Sequence, residues 1–196
     1  RYQFVFVIKD NSLFMPGGMV DTICIEDLLR SSVARSRMEP NFDMLPIPFR
    51  DIATDMGSGN MVVLKQGDLA TAMRASMAIP GAFAPVVIDD YILSDGGMVR
   101  NIPVDVAREL CGDIVNVVNL VETPAVPGKL RSASELLSRS MDVMIQANEE
   151  LQLNSLTEND IRIDVFIGDI GTADFERVPE TIPLGENATR KKSSQL

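Results

Sequence analysis

The chain has 196 residues, of which 45% are hydrophobic and 23% charged, and its formal net charge is −10. This length and composition predict one globular domain with a sizeable core over residues 1–196. The acidic balance argues against nucleic-acid binding, which needs a basic face, and against electrostatic adsorption to anionic membranes. The sequence contains no histidine, which excludes a Ser-His-Asp or Cys-His mechanism built from these residues alone.

The predicted elements alternate between strands and helices, which is typical of an α/β domain. Asp68 is a candidate N-cap, and Ser132 with Glu135 forms the S-x-x-E pattern of a capping box. In chain order the elements are a strand at 2–8, a helix at 22–33, strands at 47–54 and 61–66, a helix between Asp68 and Pro80, strands at 85–89 and 91–94, a helix from Pro103 to Gly112, a valine-rich parallel strand at 113–121, a long helix after Ser132 and a strand at 161–167.

Two expectations concern side chains in the second half of the chain. The basic cluster at 190–192 is predicted to belong to a frayed, solvated terminus. An apolar stripe along the long helix is predicted to lie in the core, and its members are Leu137, Met141, Met144, Ile145 and Leu151.

Asp95 is the residue with the strongest claim to chemistry. It follows the apolar run YILS and precedes Gly96 and Gly97. Functional groups in α/β proteins tend to lie at strand ends, and two glycines allow another segment to approach the carboxylate. A partly desolvated carboxylate has a raised pKa, which suits a general base. The competing interpretation is structural, because Asp-Gly is a common hairpin turn.

No serine of the chain is a convincing nucleophile for that base. Ser58 lies between glycines, but its surroundings are not G-x-S-x-G and are typical of a turn. Ser76 belongs to a helix face, and Ser94 precedes Asp95 in a strand and would point to the opposite face. The sequence has no EF-hand loop, H-E-x-x-H helix or P-loop, so no metal or other cofactor is predicted.

A longer stretch around Asp95 resembles a known family. The run GDLATAMRASMAIPGAFAPVVIDDYILSDGGMVRNIPVDVAREL at 67–110 is similar to the signature block of the patatin-like phospholipases, through RASMAIPGAF, the SDGG that contains Asp95, and NIPV. Weaker similarity extends from 15–20 to 172–175, and it looks closest to the bacterial members.

The resemblance implies a three-layer α/β/α sandwich around a mainly parallel sheet and a histidine-free Ser-Asp dyad. In that dyad Asp95 accepts the proton of the serine hydroxyl, and Gly96 and Gly97 leave room for the partner. The substrate would be a phospholipid or simpler lipid ester, with transient contact at a membrane surface and no metal. The family's serine lies in a G-x-S-x-G elbow, a motif that does not occur between Arg1 and Leu196. Because the chain also begins without Met, we expect the serine upstream in a longer protein, and no activity from these residues alone.

Two alternatives stay open at this point. The chain could be a non-catalytic lipid-binding or interaction domain, that is, an inactive relative, or a generic α/β core in which Asp95 only forms a turn. The head group, acyl position, chain length and oligomeric state are not determined by the sequence. The family that the chain resembles includes both cytoplasmic and exported proteins, and a cytoplasmic location is favoured here.

Overall fold

A computed structural model describes residues 7–9, 12–14, 22–34, 39–111, 113–123, 132–171 and 174–193. The chain forms two compact units, Arg1–Asn101 and Ile102–Leu196. Each unit is described by itself below, and the expectation of a single domain over 1–196 stays a prediction. Within the described ranges, no helix combines the length and the apolarity needed to cross a bilayer.

The first unit contains six strands, three α-helices and a short 3-10 helix at Phe42–Met44 among its described residues. The strands and α-helices are β1 (Val7–Lys9), β2 (Ser12–Phe14), α1 (Ile23–Ser32), β3 (Asp51–Asp55), β4 (Met61–Leu64), α2 (Leu69–Ser76), β5 (Val86–Ile88), β6 (Tyr91–Asp95) and α3 (Gly97–Arg100). Strands β1 and β2 form an antiparallel pair, and the other four form a sheet in the order β4-β3-β6-β5. Every pairing in this sheet is antiparallel. The predicted strands at 47–54, 61–66, 85–89 and 91–94 are therefore present, with shifted ends.

Helix α2 packs against this sheet and begins where the sequence predicts. The Asp68 carboxylate accepts a hydrogen bond from the backbone N–H of Thr71 at 2.8 Å, which satisfies one of the free donors at the helix start. The helix ends at Ser76, before the predicted stop at Pro80. Its alanines meet the sheet in one buried cluster, which comprises Phe42, Ala53, Leu64, Leu69, Ala72, Ala75 and Leu93.

The second unit contains α4 (Val104–Cys111), β7 (Asn116–Glu122), α5 (Ala133–Leu153), β8 (Ile161–Gly168) and α6 (Val178–Lys191). Strands β7 and β8 pair in parallel, as expected for the valine-rich run, and α5 lies between them in sequence. Among the described residues, the second unit thus contains a parallel pair of strands, whereas the four-stranded sheet of the first unit is antiparallel. The mixed α/β class predicted from the sequence is confirmed. The capping box at the start of α5 is confirmed too, because Ser132 and Glu135 bond each other's backbone N–H groups.

Asp160 ties together the elements of this unit just before β8 begins. Its carboxylate accepts hydrogen bonds from Arg108 Nη2 of α4 at 2.7 Å, from the N–H of Val115 at 2.8 Å and from the N–H of Thr157 at 2.7 Å. The guanidinium and these N–H groups hold the pKa of Asp160 well below its usual range. One ionised side chain therefore fixes the ends of both parallel strands.

We expect Asp160→Asn to lower the melting temperature by roughly 5 °C or more at pH 7, because an amide replaces one acceptor oxygen by a donor facing N–H groups. The deficit should be complete above the ordinary Asp pKa of about 4 and should shrink as the pH falls below it, since the wild-type contribution depends on the ionised carboxylate. Thermal unfolding from pH 7 to pH 3 measures this. The exposed Glu158→Gln is the control, and a pH-independent deficit would contradict the explanation.

Two predictions about side chains are wrong in part. The apolar stripe of α5 is not all core: Leu137 is 66% exposed, Met144 51% and Leu151 67%. Helix α5 makes its buried contacts near its C-terminal end, through Gln152 and Leu153.

The predicted frayed terminus is also incorrect for the first two residues of the basic cluster. Arg190 and Lys191 lie in α6, where Arg190 Nη2 pairs with Glu186 at 2.6 Å. No element was predicted for this region, which contains prolines at 179 and 183; the first lies in the initial turn of the helix, where its missing N–H costs nothing. Contact of Ala188 with the β8 core supports the rest of the helix.

Candidate active site

Asp95 is the last residue of β6, and the chain continues directly into α3. The Asp-Gly pair is therefore a strand-to-helix junction and not the corner of a hairpin. The backbone on both sides of the carboxylate is fixed. The N–H of Asp95 donates to Ala78 O at 3.0 Å, and the Thr54 hydroxyl donates to Asp95 O at 2.7 Å. The sheet and the segment after α2 thus hold Asp95 from two directions.

The carboxylate of Asp95 is half-buried, and its environment favours the protonated form. Burial raises the pKa of Asp95, and one hydrogen bond, from the N–H of Gly97 to Oδ1 at 2.7 Å, offsets part of that rise. A carboxylate with a raised pKa is a stronger proton acceptor than one in water. The geometry therefore suits a general base.

A side chain at Gly96 and a side chain at Gly97 would each meet different neighbouring atoms beside Asp95. A Cβ on Gly96 would lie 2.1 Å from Ile52 O and 2.6 Å from Ile52 C, so β3 approaches this position at backbone contact. A Cβ on Gly97 would lie 3.0 Å from Asp95 Oδ1 and 3.0 Å from Asn101 Oδ1. The space expected from the glycines is thus occupied by β3 and by the Asp95 carboxylate. Room for a serine beside them stays a prediction.

A second carboxylate, that of Asp51, lies on the same face and was not found from the sequence. Ala53 of β3 stands opposite Asp95 of β6, so the two side chains share a face, and Asp51 lies two residues further along that face. Burial raises the pKa of Asp51, the Ser76 hydroxyl and the N–H of Ile52 lower it, and the charge of Asp95 raises it. The two carboxylates are therefore close enough to repel each other when both are ionised.

The three serines considered from the sequence each make a structural contact. Ser94 Oγ donates to Ala78 O at 2.5 Å, and the Ser76 hydroxyl lies close enough to Asp51 to lower the pKa of that carboxyl. Ser58 Oγ donates to Asp55 Oδ2 at 2.6 Å, which superficially looks like a Ser-Asp pair.

Asp55 is nevertheless a poor base. It also accepts the N–H groups of Gly57, Ser58 and Ile92, and these hydrogen bonds, led by the Ser58 hydroxyl, lower its pKa. The pair is a turn motif, as expected for Ser58. The described part of the chain brings together no group of three or more potential metal ligands.

Comparisons with known proteins show which family the chain resembles. An uncharacterized NTE family protein of Mycobacterium tuberculosis is 37% identical over 87 residues, which is 44% of this chain and 24% of that protein. A second NTE family protein of that species is 28% identical over 172 residues, covering 74% of this chain and 29% of its own length. The mouse patatin-like phospholipase domain-containing protein 6 is 31% identical over 91 residues, 45% of this chain and 7% of that protein.

The chain therefore spans less than a third of the length of the curated relatives that it matches. The family model for patatin-like phospholipase matches residues 2–108, which is more than half of the chain and includes Asp95, Gly96 and Gly97. The chain belongs to the patatin-like phospholipase family.

Proposed function

We propose that the protein containing this chain is a lipid acyl hydrolase that cleaves fatty-acyl esters with a Ser-Asp dyad, in which Asp95 is the base. Membership of a family of lipid hydrolases supports the reaction class. The observation that carries the residue assignment is the half-buried Asp95 carboxylate, with its raised pKa, fixed at the end of β6. The motif-supporting Gly96 and Gly97 belong to the same proposal.

In this mechanism Asp95 relays a proton in each half of the reaction. It takes the proton from the serine hydroxyl as the oxygen attacks the ester carbonyl, and the protonated Asp95 returns a proton to the departing alcohol. Water then attacks the acyl-enzyme and gives one proton to Asp95, which passes it to the serine oxygen as the acyl bond breaks, so that the free serine is restored and the fatty acid is released. The nucleophile is proposed to lie outside the 196 residues, because no G-x-S-x-G occurs within them and Ser58, Ser76 and Ser94 all have structural partners.

The proposed substrate is a lipid or another ester, met at a lipid surface. With a net charge of −10, this chain would be repelled by an anionic membrane, so the proposed surface contact is transient. No nucleic-acid partner is proposed, for the same electrostatic reason.

We expect the intact protein to release fatty acid from phospholipid vesicles, and the 196-residue chain, folded by circular dichroism, to hydrolyse short-chain nitrophenyl esters no faster than buffer. The reason is that these residues offer a base but no activated nucleophile. Turnover by the chain that disappears on Ser58→Ala or Ser76→Ala would show that the serine assignment is wrong. An intact protein with no hydrolysis of either ester class would favour a non-catalytic relative.

A further inference from the structure

The candidate site holds more negative charge than a Ser-Asp dyad requires. The dyad uses one carboxylate, yet Asp51 presents a second one on the same face of the β3–β6 pair as Asp95. Nothing in the proposed reaction assigns Asp51 a task. Burying a carboxylate costs free energy, and placing it near another carboxylate adds repulsion.

Backbone contacts fix the positions of Asp51 and Asp95 relative to each other. Ile52, the residue after Asp51, is the one whose carbonyl touches Gly96, and the N–H of Ile52 donates to Asp51 Oδ1 at 3.2 Å. From the other side, the Ser76 hydroxyl at the end of α2 lies close enough to Asp51 to lower the pKa of that carboxyl. The carbonyl of the same Ser76 accepts the N–H of Gly96 at 3.3 Å. Asp51, Ser76 and the residue after Asp95 are therefore joined in a single network.

No cation of the described residues offsets this pair. The pKa of Asp51 responds to burial, to Ser76, to the N–H of Ile52 and to Asp95, and that of Asp95 responds to burial and to the N–H of Gly97. The neighbouring Arg50 is directed elsewhere, since its Nη2 pairs with Asp43 at 2.6 Å. Leu64, the partner of Asp51 on β4, is apolar. Among the described residues, Asp51 and Asp95 thus have no cation as a direct partner.

We propose that Asp51 is a positioning residue for Asp95: a second carboxylate on the same buried face, anchored by Ser76, that makes Asp95 a stronger base once both are ionised. This rests on the proposed function, because it concerns the base of that reaction. The charge of Asp95 raises the pKa of Asp51, so ionisation of one carboxyl makes ionisation of the other less favourable. Two such groups titrate as a pair, in two steps. The second step places a negative charge beside Asp95 and increases its affinity for the serine proton.

The first test is the pH–rate profile of the intact protein on a nitrophenyl ester. Wild type should rise in two steps on the acid side. Asp51→Asn, which keeps the shape and an acceptor for Ser76, should show one step and a rate at the plateau that is lower by roughly 2- to 10-fold, as expected for a weaker base. Asp51→Glu should restore the second step. A purely structural role would lower the rate without changing the number of steps, and that result would overturn the proposal.

A second test does not depend on activity. A double-mutant cycle in thermal unfolding compares Asp51→Asn, Asp95→Asn and the double variant of the intact protein at pH 7. Each single substitution removes the repulsion between the carboxylates, and the double substitution removes the same repulsion only once. The stability gained by the double variant should therefore be smaller than the sum of the gains of the two single variants. This coupling should shrink as the pH approaches about 4, where the carboxyls take up protons. Additive gains at both pH values would overturn the proposal.

The two tests separate the two hypotheses. Coupling in the cycle, in a protein whose wild type hydrolyses no ester, would support the carboxylate pair and overturn the proposed reaction. Asp90→Asn, an exposed change on the β5–β6 turn, combined with Asp95→Asn is the matched control and should be additive.

Discussion

Asp95→Asn should reduce ester hydrolysis by the intact protein by roughly 10²- to 10⁴-fold, the contribution that a general base usually makes. The amide has the size of the carboxylate, and its oxygen still accepts the N–H of Gly97. It does not accept the proton of the serine hydroxyl. The measurement is the initial rate on a nitrophenyl ester at saturating substrate, for wild type and variant in parallel.

Lost stability could imitate that loss of activity, so the melting temperature must be measured beside the rate. Because burial raises the pKa of Asp95, its charged form destabilises the folded state, and this destabilisation develops as the pH rises above the ordinary Asp pKa. The variant should therefore melt no lower than wild type at pH 7. Asp90→Asn makes the same chemical change on an exposed turn and should alter neither property. Near-normal turnover by a well-folded Asp95→Asn protein would return Asp95 to a structural role.

Gly96→Ala should destabilise the first unit by roughly 3 kcal/mol or more, because the added methyl group would lie 2.1 Å from Ile52 O. The obstacle is backbone and not the flexible end of a side chain, so the junction after β6 and strand β3 must separate to admit it. Urea unfolding gives the free-energy change directly.

The matched control for this substitution is Gly57→Ala, in the loop between β3 and β4. A Cβ on Gly57 would meet its nearest atom, Asp55 Oδ1, at 3.5 Å, an ordinary van der Waals distance, and this glycine has no positive φ. We expect its stability to change by less than about 1 kcal/mol. Equal effects of the two substitutions would mean that the close approach of β3 is not what requires glycine at position 96.

Hydrogen-bonded helix caps could be predicted from the sequence, because their partners lie close together along the chain. Asp68 with Thr71 and Ser132 with Glu135 are each separated by three residues, and both caps were predicted and confirmed. The period-two pattern of β8 was equally plain, and alternate residues of that strand are buried. The position of Asp95 at a strand end followed from the apolar run before it.

Features that depend on contacts between residues far apart in sequence could not be predicted from the sequence. Asp51 comes next to Asp95 only through the antiparallel register of β3 and β6, whose paired residues Ala53 and Asp95 are far apart in sequence. Nothing in the run around Asp51 specifies that register. The exposure of Leu137 was missed for a related reason, since periodicity identifies a helix face but not what covers it. Helix α6 was missed because its basic last turn was interpreted as a frayed terminus, and Pro183 lies inside the helix, where proline is unfavourable.

The carboxylate of Asp55 makes the sheet tolerant of mild acid in a way that the candidate site is not. Its hydrogen bonds lower its pKa, whereas burial raises those of Asp51 and Asp95. As the pH falls, the two site carboxyls take up protons first, while Asp55 stays ionised and continues to join the β3–β4 loop to Ile92 of β6. Crystals of the intact protein, grown in a buffer acidic enough to protonate Asp51 and Asp95 while Asp55 stays ionised, should therefore take up substrate esters without hydrolysing them.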